Sequence, residues 1–527
     1  MKTPVVSSVD ELIEWRLADI ERGPEDMHAY QIEDYEFFKR TPFSIGIIGL
    51  GLGKSVIGAT LLRDLIYEWE HDGLILIVGP IPIITNSWHD EVRQWRHLVH
   101  LGPDMITLRE DDDDPRIKQA GKAARMRGEP EGAAMTKMRQ QIRHELARSN
   151  KSIHMINFEG LERLIDFWGP RWPYRTVIVD ESSRLKDYKS NRFKRLAMVR
   201  NTPGMITRMH LLTGTPASES YMGLFAQIYL LDLGDRFGSE VTTFQRRYFY
   251  QDRWSQKWKI RPGAEEEILT KIADITTIRD AKDYRHVEDP IISLRYVHLT
   301  DEEMCIYKRM QKEFIVQLPE GSIVEAKNAA ALTQKLSQLA SGVLYETTIE
   351  LDMEADDPED ADRIEVKKVH KIHDHKIAEM KEIVKELDGL NVLVAYQHRS
   401  SLERLQKAFP KATKWHKSGR DKEAWNAGKI NMMLMHPRSG GHGNNLQKGG
   451  HVVIFFDIPW SREQFVQLLG RLARQGQTEV VRVIQLVSKG TIDETIARAQ
   501  RDKRMHEEEL YSILQRLIAA ARRSHKR

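Results

Sequence analysis

A glycine-rich stretch between an apolar run and an amphipathic run places the strongest limit on what this chain folds into. Residues 44–48 (SIGII) are typical of a buried strand, residues 49–55 (GLGLGKS) of a tight turn, and the VIGATLLRDLIYEW run that follows is typical of a helix. This order predicts a phosphate-binding loop in an α/β domain, because backbone N–H groups and the helix dipole then face an anion. A glycine turn with a purely structural role is the alternative.

The side chains of this loop suit a nucleotide bound with a metal ion. Lys54 is predicted to bridge the terminal phosphates of ATP, and Ser55 is predicted to bind Mg²⁺ through its hydroxyl. The glycines let the backbone curl around the phosphates. The residues predicted to bind the nucleotide are Gly49, Gly51, Leu52, Gly53, Lys54 and Ser55.

A pair of carboxylates completes the predicted nucleotide site. Asp180 and Glu181 follow the apolar run at residues 177–179. Asp180 is predicted to hold Mg²⁺, and Glu181 to orient and deprotonate the attacking water. Gln31 is predicted to read the adenine edge, because an amide donates and accepts hydrogen bonds at once. A solvated loop and a surface glutamine are the respective alternatives.

Short apolar runs alternate with helical patterns in two series, which predicts parallel sheets covered by helices. In the first series the predicted strands are residues 44–48, 74–78, 152–156, 176–179 and 209–212. In the second they are residues 391–395, 431–435, 452–456 and 481–486. Residues 1–232 are therefore predicted as one α/β lobe, 233–375 as a mostly helical insertion and linker, and 376–527 as a second lobe with a final helix.

Composition limits the setting in which the protein works. The chain has 527 residues, and its 80 basic and 77 acidic residues leave a formal net charge of +3. The net charge alone therefore does not indicate that the protein binds nucleic acid. The single cysteine, Cys305, excludes an internal disulfide framework and is predicted to be buried on an amphipathic helix. With no long apolar run, the protein is predicted to be intracellular, in a bacterial host, and not to bind membranes.

These residues, together with further motifs in order, resemble the superfamily-two helicases, and within them the Swi/Snf-type DNA translocases, over residues 30–496. The segments that carry the resemblance are residues 76–95, 156–161, 180–186, 212–216, 394–405, 439–446, 457–477 and 490–496. The chain departs from the family pattern in its Ser-Ser after the Asp-Glu pair, in Ser55 for the commoner threonine, and in Asn444. A compact bacterial or phage-like form is expected.

The resemblance implies an α/β fold of two RecA-like lobes with a helical insertion between them and ATP in the cleft. Arg471 and Arg474 would then act as arginine fingers that stabilise charge on the γ-phosphate, and Gln467 would contact the nucleotide. The spacing of the three residues puts them on one side of a helix. A solvated face of a basic helix is the alternative.

The resemblance also implies double-stranded DNA as a partner, held mainly through its phosphates. The residues expected to contact nucleic acid are Asn86, Asn157, Gln397, Ser439, Gly440, Asn444 and Trp460, with Trp88 as a further candidate and Lys186 and Lys189 placed to reach a second strand. The implied function is an ATP-dependent motor that moves along duplex DNA and remodels protein–DNA complexes or junctions. A strand-separating helicase of repair or replication and an ATP-binding scaffold protein are the alternatives.

A group of histidines, His370, His373 and His375, stands near the predicted linker into the second lobe. Histidines are common metal ligands, but their spacing here is loose. Ordinary packing is therefore the favoured interpretation of the three side chains.

Overall fold

The computed structural model describes residues 20, 22–49, 51–69, 72–110, 114–214, 221–252, 258–284, 289–318, 323–326, 328–351, 363–416, 420–438, 445–474 and 476–502. Described residues up to Tyr284 form one compact unit, and those from Asp289 onward form the second. The predicted insertion, residues 233–375, is thus shared between the two units. Its assignment as a separate part stays a prediction.

The first unit is built from strands that alternate with helices. Its strands are β1 (Phe43–Ile48), β2 (Leu74–Gly79), β3 (Met105–Thr107), β4 (Ile153–Asn157), β5 (Tyr174–Asp180), β6 (Arg208–Thr213), β7 (Phe249–Gln251), β8 (Trp258–Ile260) and β9 (Thr276–Arg279). Its helices are α1 (Ala29–Arg40), α2 (Lys54–Tyr67), α3 (Trp88–Arg93), α4 (Pro115–Met126), α5 (Glu131–Ala147), α6 (Phe158–Trp168), α7 (Asn191–Asn201), α8 (Met222–Asp232), α9 (Val241–Tyr248) and α10 (Ala264–Ile272).

Seven of these strands form one sheet in the order β3-β4-β2-β5-β6-β1-β9, and every neighbouring pair is parallel. Alternate side chains of a strand enter opposite faces. Accordingly Leu76 and Val78 lie in one buried apolar cluster, whereas Ile75 and Ile77 lie in the other. Burial on both faces explains why the strands are continuous apolar runs, and it requires helices on each side of the sheet.

The charged stretch at residues 109–150, predicted only as a surface insertion, contains two helices. Asp114 caps the first of them, α4, because its carboxylate accepts the backbone N–H of Arg116. The helices α4 and α5 lie between β3 and β4 in the chain and present charged side chains to solvent. Short β3 and β9, at the two edges of the sheet, were missed by the sequence analysis.

The second unit also alternates strands with helices. Its strands are β10 (Ile291–Val297), β11 (Ile315–Gln317), β12 (Ile323–Glu325), β13 (Val343–Leu351), β14 (Arg363–Lys371), β15 (Val392–Ala395), β16 (Thr413–Lys414), β17 (Met432–Met435), β18 (Val452–Phe455) and β19 (Arg482–Ser488). Its helices are α11 (Asp301–Glu313), α12 (Ala329–Ala340), α13 (His375–Glu386), α14 (Arg399–Ala408), α15 (Lys422–Asn426) and α16 (Arg462–Leu469), and residues 492–502 are also helical.

A six-stranded parallel sheet forms the core of the second unit, in the order β10-β19-β18-β15-β17-β16. Two parallel sheets with helices confirm the predicted α/β fold class. The segment predicted as mostly helical does contain α11 and α12, but it also supplies the edge strand β10 and the antiparallel pairs β11–β12 and β13–β14. The acidic run at residues 352–362 lies outside the described residues.

Two side-chain predictions have clear outcomes in this unit. Cys305 is exposed on α11, so the prediction that it is buried was wrong; its position falls on the outer side of the helix, whose buried side chains are Tyr307 and Met310. The histidines do not gather a metal site: His370 contacts Glu346 and His375 contacts Glu303, and the described residues contain no cluster of three or more possible ligands. No helix in the described part of the chain is long and apolar enough to cross a membrane.

Candidate nucleotide site and nucleic-acid interface

The glycine-rich loop joins β1 to α2, and its backbone has the shape that binds phosphates. Gly51 and Gly53 have φ angles of 82° and 78°, a left-handed conformation that glycine adopts without steric cost. Helix α2 begins at Lys54, with Gly53 as its N-cap. Lys54 Nζ donates to the carbonyl of Ile48 across the loop at 3.0 Å, which keeps the ammonium over the turn. The N-terminus of the 14-residue helix α2 and the ammonium group of Lys54 therefore both lie at the glycine loop, where an anion would bind.

Helix α1 holds the glycine loop from the other side. The carbonyl oxygen of Leu52 accepts hydrogen bonds from Tyr30 Oη and from Gln31 Nε2, both at 3.2 Å. Gln31 Oε1 accepts the backbone N–H of His28 at 2.9 Å, so both ends of this buried amide contact the chain itself. Gln31 thus positions the loop in this structure, and its predicted contact with adenine stays a prediction.

The carboxylates of the site lie at the end of β5. In the sheet, β6 separates β5 from β1, so Asp180 and the glycine loop share the edge formed by the carboxyl ends of parallel strands. Asp180 is buried, and its Oδ2 accepts a hydrogen bond from the indole N–H of Trp88 at 3.1 Å. The sequence analysis placed Trp88 at nucleic acid instead. That prediction was wrong, because the side chain has no exposed surface.

Glu181 stands in an unusual backbone conformation next to Asp180. Its φ of 61° is left-handed, which costs a non-glycine residue roughly 1–2 kcal/mol. Burial raises the pKa of its carboxyl, while the positive charges of Lys54 and Arg184 act in the opposite direction. A buried carboxylate with a raised pKa beside a lysine is typical of a general base.

The serine that follows Glu181 connects the carboxylates to α8. Ser182 is fully buried, and its hydroxyl donates to Gln227 Oε1 at 2.8 Å. The amide of Gln227 donates in turn to the carbonyl of Gly223, one helical turn earlier. The sequence analysis missed Gln227, because a glutamine in an apolar helix carries no motif.

Two of the predicted nucleic-acid residues of the first unit lie at or just after the ends of adjacent strands. Asn157, at the end of β4, is level with Gly79, at the end of β2. Its amide donates to Glu159 at 2.8 Å. Asn86 is exposed on the π-helical turn Ile83–Ser87 that follows β2, and such turns are frequent at functional sites. The structure therefore brings these asparagines to the same edge of the sheet as the nucleotide residues.

In the second unit, Asp457 organises the segment that holds Gln397. Its buried carboxylate accepts the backbone N–H groups of Gln397 and His398, at 2.9 and 3.4 Å, and the hydroxyl of Ser341. Burial alone would raise the pKa of Asp457, but the charges of His398 and Lys376 and these hydrogen bonds outweigh it and lower the pKa. Asp457 therefore stays ionised and fixes the start of α14.

The predicted arginine fingers follow α16, which ends at Leu469 rather than continuing to Arg474. Arg471 is buried, its guanidinium contacts the sulfur of Met435, and burial, reinforced by the charge of Arg474, lowers its pKa to about 9. Arg474 is half-buried and donates to the side chain of Asn445. Gln467 donates to Glu463 one turn earlier at 2.9 Å. The roles assigned to these three residues stay predictions.

The remaining predicted contacts to nucleic acid divide into two groups. Trp460 is 46% exposed at the end of the loop before α16, and its surface is free for a contact of this kind. Ser439, Gly440 and Asn444 lie outside the described residues. Their assignment stays a prediction.

The glycine loop and its neighbours fit a nucleotide with Mg²⁺. A Cβ on Gly53 would collide with the amide nitrogen of Gln31, so the backbone of the loop can pack this closely against Gln31 only with glycine at this position. Hydroxyl and carboxylate oxygens, the ligands that Mg²⁺ prefers, are supplied by Ser55 at the start of α2 and Asp180 at the end of β5.

Comparison with known proteins identifies the family of this chain. Residues 46–344 match the SNF2-related domain family, and residues 375–476 match the helicase conserved C-terminal domain family. The chain is 31% identical over 479 residues to a protein described as putative protein p41 of Acyrthosiphon pisum secondary endosymbiont phage 1, with 89% of this chain and 94% of the phage protein covered.

Cellular relatives are more distant and much longer. The CHD3-type chromatin-remodeling factor CHR7 of Arabidopsis thaliana is 24% identical over 502 residues, which cover 91% of this chain but only 37% of that protein. Among solved structures, the Sulfolobus solfataricus SWI2/SNF2 ATPase core in complex with dsDNA covers 93% of this chain at 18% identity, with a TM-score of 0.39. That score is too low to support a shared arrangement of the two units.

Proposed function

Because this chain belongs to the SNF2-related family of superfamily-two ATPases, we propose that it hydrolyses ATP to move along duplex DNA and remodels protein–DNA complexes or DNA junctions. One observation carries the catalytic part. Lys54, Asp180 and Glu181 lie at the carboxyl edge of one parallel sheet, where burial raises the pKa of Glu181 and the charge of Lys54 offsets part of that rise. These are the groups that phosphoryl transfer to water requires.

Each residue of the site has one task in this proposal. Lys54 neutralises charge on the terminal phosphates, and backbone N–H groups of the glycine loop bind their oxygens. Ser55 and Asp180 hold Mg²⁺, which neutralises phosphate charge when it is bound with ATP. Glu181 accepts a proton from the attacking water, and its raised pKa makes it a better base than an exposed carboxylate.

The second unit contributes arginines to the proposal. Arg474 is the better candidate for the transition-state arginine, because its side chain is only half-buried and is therefore more accessible than that of Arg471. Arg471 is buried against Met435, and we assign it to holding the turn after α16 in place. An Arg474→Gln variant is expected to bind ATP normally and to lose turnover.

The duplex-DNA part of the proposal rests on chemistry shared with the relatives. The Arabidopsis relative is a chromatin-remodeling factor. In this chain, Asn86 and Asn157 stand at the edge of the sheet that also holds the nucleotide residues. Small polar side chains and turn N–H groups at such an edge suit contacts to phosphates without base readout.

The test compares ATP turnover of the full chain without DNA and with single-stranded, continuous duplex and branched DNA. We expect duplex DNA to raise turnover several-fold, and Lys54→Ala and Glu181→Gln to abolish it. Lys122→Ala, at an exposed lysine of α4, is the matched control and should retain activity. Equal turnover with and without every nucleic acid would refute the motor.

Displacement assays separate the motor from its two alternatives. A translocase displaces a third strand or a bound protein from duplex DNA without separating the duplex. Separation of a forked duplex that depends on a single-stranded loading site would identify a strand-separating helicase instead. Absence of any ATP turnover would identify a scaffold protein.

A further inference from the structure

The strands β7 and β8 form a two-stranded antiparallel ribbon in the first unit, which is separate from the parallel sheet. Phe249 pairs with Ile260, Tyr250 with Lys259, and Gln251 with Trp258. Large aromatic side chains normally lie inside a protein. In this ribbon, however, Tyr250 is 41% exposed and Trp258 is 45% exposed. Residues 253–257, between the strands, lie outside the described residues.

The two aromatic rings lie on opposite faces of the ribbon. Residues that pair directly across an antiparallel ladder share a face, and successive residues alternate between faces. Tyr250 therefore shares one face with Lys259, whereas Trp258 shares the other with Gln251. Each face thus offers one aromatic ring with a polar or cationic neighbour.

A row of buried rings holds the base of the ribbon on the unit. Phe249 is buried, and its ring lies 5.6 Å from that of Phe244 on α9. Phe244 lies 5.4 Å from Phe225 on α8, and Phe225 lies 6.3 Å from Tyr188. Tyr188 belongs to the loop after the carboxylates of the nucleotide site, the loop that also contains Lys189. The base of the ribbon is therefore connected to that loop through packed aromatic rings.

Positive charge surrounds the ribbon. Arg246, Arg247, Lys259 and Arg261 are all exposed on or beside it. Lys259 pairs with Asp252 and Arg247 with Glu267. Within the described part of the chain, Arg246 and Arg261 have no acidic partner, and Arg261 donates to the backbone carbonyl of Arg246 at 3.4 Å. The side chains of Arg246 and Arg261 thus offer two exposed guanidinium groups to an anion.

We propose that this ribbon binds unpaired bases of DNA, so that the preferred substrate of the motor is a duplex interrupted by a gap, an end or a branch. Exposed aromatic rings next to cations are the groups that bind single-stranded nucleic acid, by stacking on bases and by neutralising phosphates. Inside a continuous duplex, both faces of every base are already covered by its neighbours. Trp258 and Tyr250 can stack only where a base is exposed. This inference rests on the proposed function, because it names the DNA on which the motor acts.

The test measures binding of the full chain to two labelled DNAs that differ only in a short single-stranded gap. We expect Trp258→Ala to weaken binding to the gapped DNA by about 5- to 150-fold, the range for loss of one stacked base. Binding to the continuous duplex should change less than about twofold. Trp258→Phe, which keeps a ring, should retain most of the affinity. Trp69→Ala, at a tryptophan of the same unit that is 38% exposed, is the matched control and should bind both DNAs normally.

Salt dependence tests the cations separately. Replacing both Arg246 and Arg261 with alanine should reduce the slope of log affinity against log salt by about 0.7–0.9 for each phosphate contact that is lost. An unchanged slope would contradict their role. Equal losses on gapped and continuous DNA, no loss at all in Trp258→Ala, or binding of anionic vesicles that depends on Trp258 while DNA binding does not, would each overturn the inference.

The failure of the inference can be distinguished from failure of the proposed function. Turnover of the unaltered protein with continuous duplex DNA tests the motor alone. If duplex stimulates turnover but Trp258→Ala binds gapped DNA normally, the ribbon has no role and the motor stands. If duplex does not stimulate turnover but the tryptophan effect is present, the ribbon stands and the motor fails.

Discussion

Replacing Trp88 with phenylalanine tests whether the buried indole holds Asp180 in the position that we propose for Mg²⁺ binding. The substitution keeps an aromatic ring and removes one hydrogen bond, from the indole N–H to Asp180 Oδ2 at 3.1 Å. A hydrogen bond to a charged group contributes about 1.5–3 kcal/mol, which corresponds to a factor of about 10 to 150. Partners of metal-binding carboxylates typically change metal affinity by about 10- to 100-fold. The two ranges agree.

The assay is ATP turnover as a function of Mg²⁺ concentration. In Trp88→Phe, the Mg²⁺ concentration at half-maximal turnover should rise by about 10- to 100-fold, and turnover at saturating Mg²⁺ should recover most of its original value. Recovery is expected because Lys54 and Glu181, which we propose to act on the phosphates and on the attacking water, are left in place.

The chain offers a closely matched control for this substitution. Trp95 is also buried, it lies just after the same helix, and its indole N–H donates to Glu91 at 2.9 Å. Trp95→Phe therefore removes a hydrogen bond between the same groups and creates a similar cavity, but away from Asp180. An unchanged Mg²⁺ requirement in Trp88→Phe, or an equal shift in both variants, would refute the assignment.

Three further substitutions have outcomes that follow from the structure. Gly53→Ala should weaken ATP binding about tenfold or more in a nucleotide titration, because the added Cβ collides with the side-chain amide of Gln31. Gly128→Ala is the control: Gly128 also has a positive φ, 72°, but open space surrounds it, so the substitution should change only stability. Lys376→Met should destabilise the second unit by about 3–5 kcal/mol in calorimetry, since it leaves Asp493 as an uncompensated buried charge, and adding Asp493→Asn should restore much of the loss. Glu181→Gln should unfold at a higher temperature than the unaltered protein at about pH 8 and show no such gain at about pH 4. Folding raises the pKa of Glu181, so the unaltered protein loses stability as the pH rises through that pKa and the buried carboxyl becomes ionised. Glutamine is neutral at every pH and avoids this loss.

The sequence was most informative where one physical cause controls the residue pattern. Strands buried on both faces must be apolar throughout, so β2 and β5 were predicted to within two residues at each end. The glycine loop was equally clear, because glycine adopts the left-handed backbone at positions 51 and 53 without the steric cost that other residues incur. Edge strands such as β3 and β10 are only partly buried, and their residues therefore show no continuous apolar run.

Contacts between distant parts of the chain could not be predicted. Trp88 has the sequence context of a nucleic-acid contact, but the structure packs its indole ring inside the unit. The ring lies so close to Gly58 that a Cβ added to this glycine would be 2.7 Å from the indole. Gln31 was assigned to adenine because its amide can donate and accept hydrogen bonds. In the structure the amide uses both abilities within the chain: it donates to the carbonyl of Leu52 and accepts from the backbone N–H of His28. In both cases the residue type indicated which kind of contact the side chain can make. It did not indicate the partner of that contact, because the partner depends on tertiary structure.

The Ser-Ser pair that follows Asp180 and Glu181, where this chain departs from its family pattern, forms a contact within the first unit. Ser182 donates to Gln227, and this buried, neutral hydrogen bond joins the end of β5 to α8. Helix α8 also carries Phe225, whose ring contacts Phe244 at the base of the aromatic ribbon. The end of β5 is therefore connected through packed side chains to Phe249 at the base of the ribbon. A single hydrogen bond of this kind contributes only about 0.5–1.5 kcal/mol. Its effect is therefore expected on the coupling between nucleotide and ribbon more than on the fold.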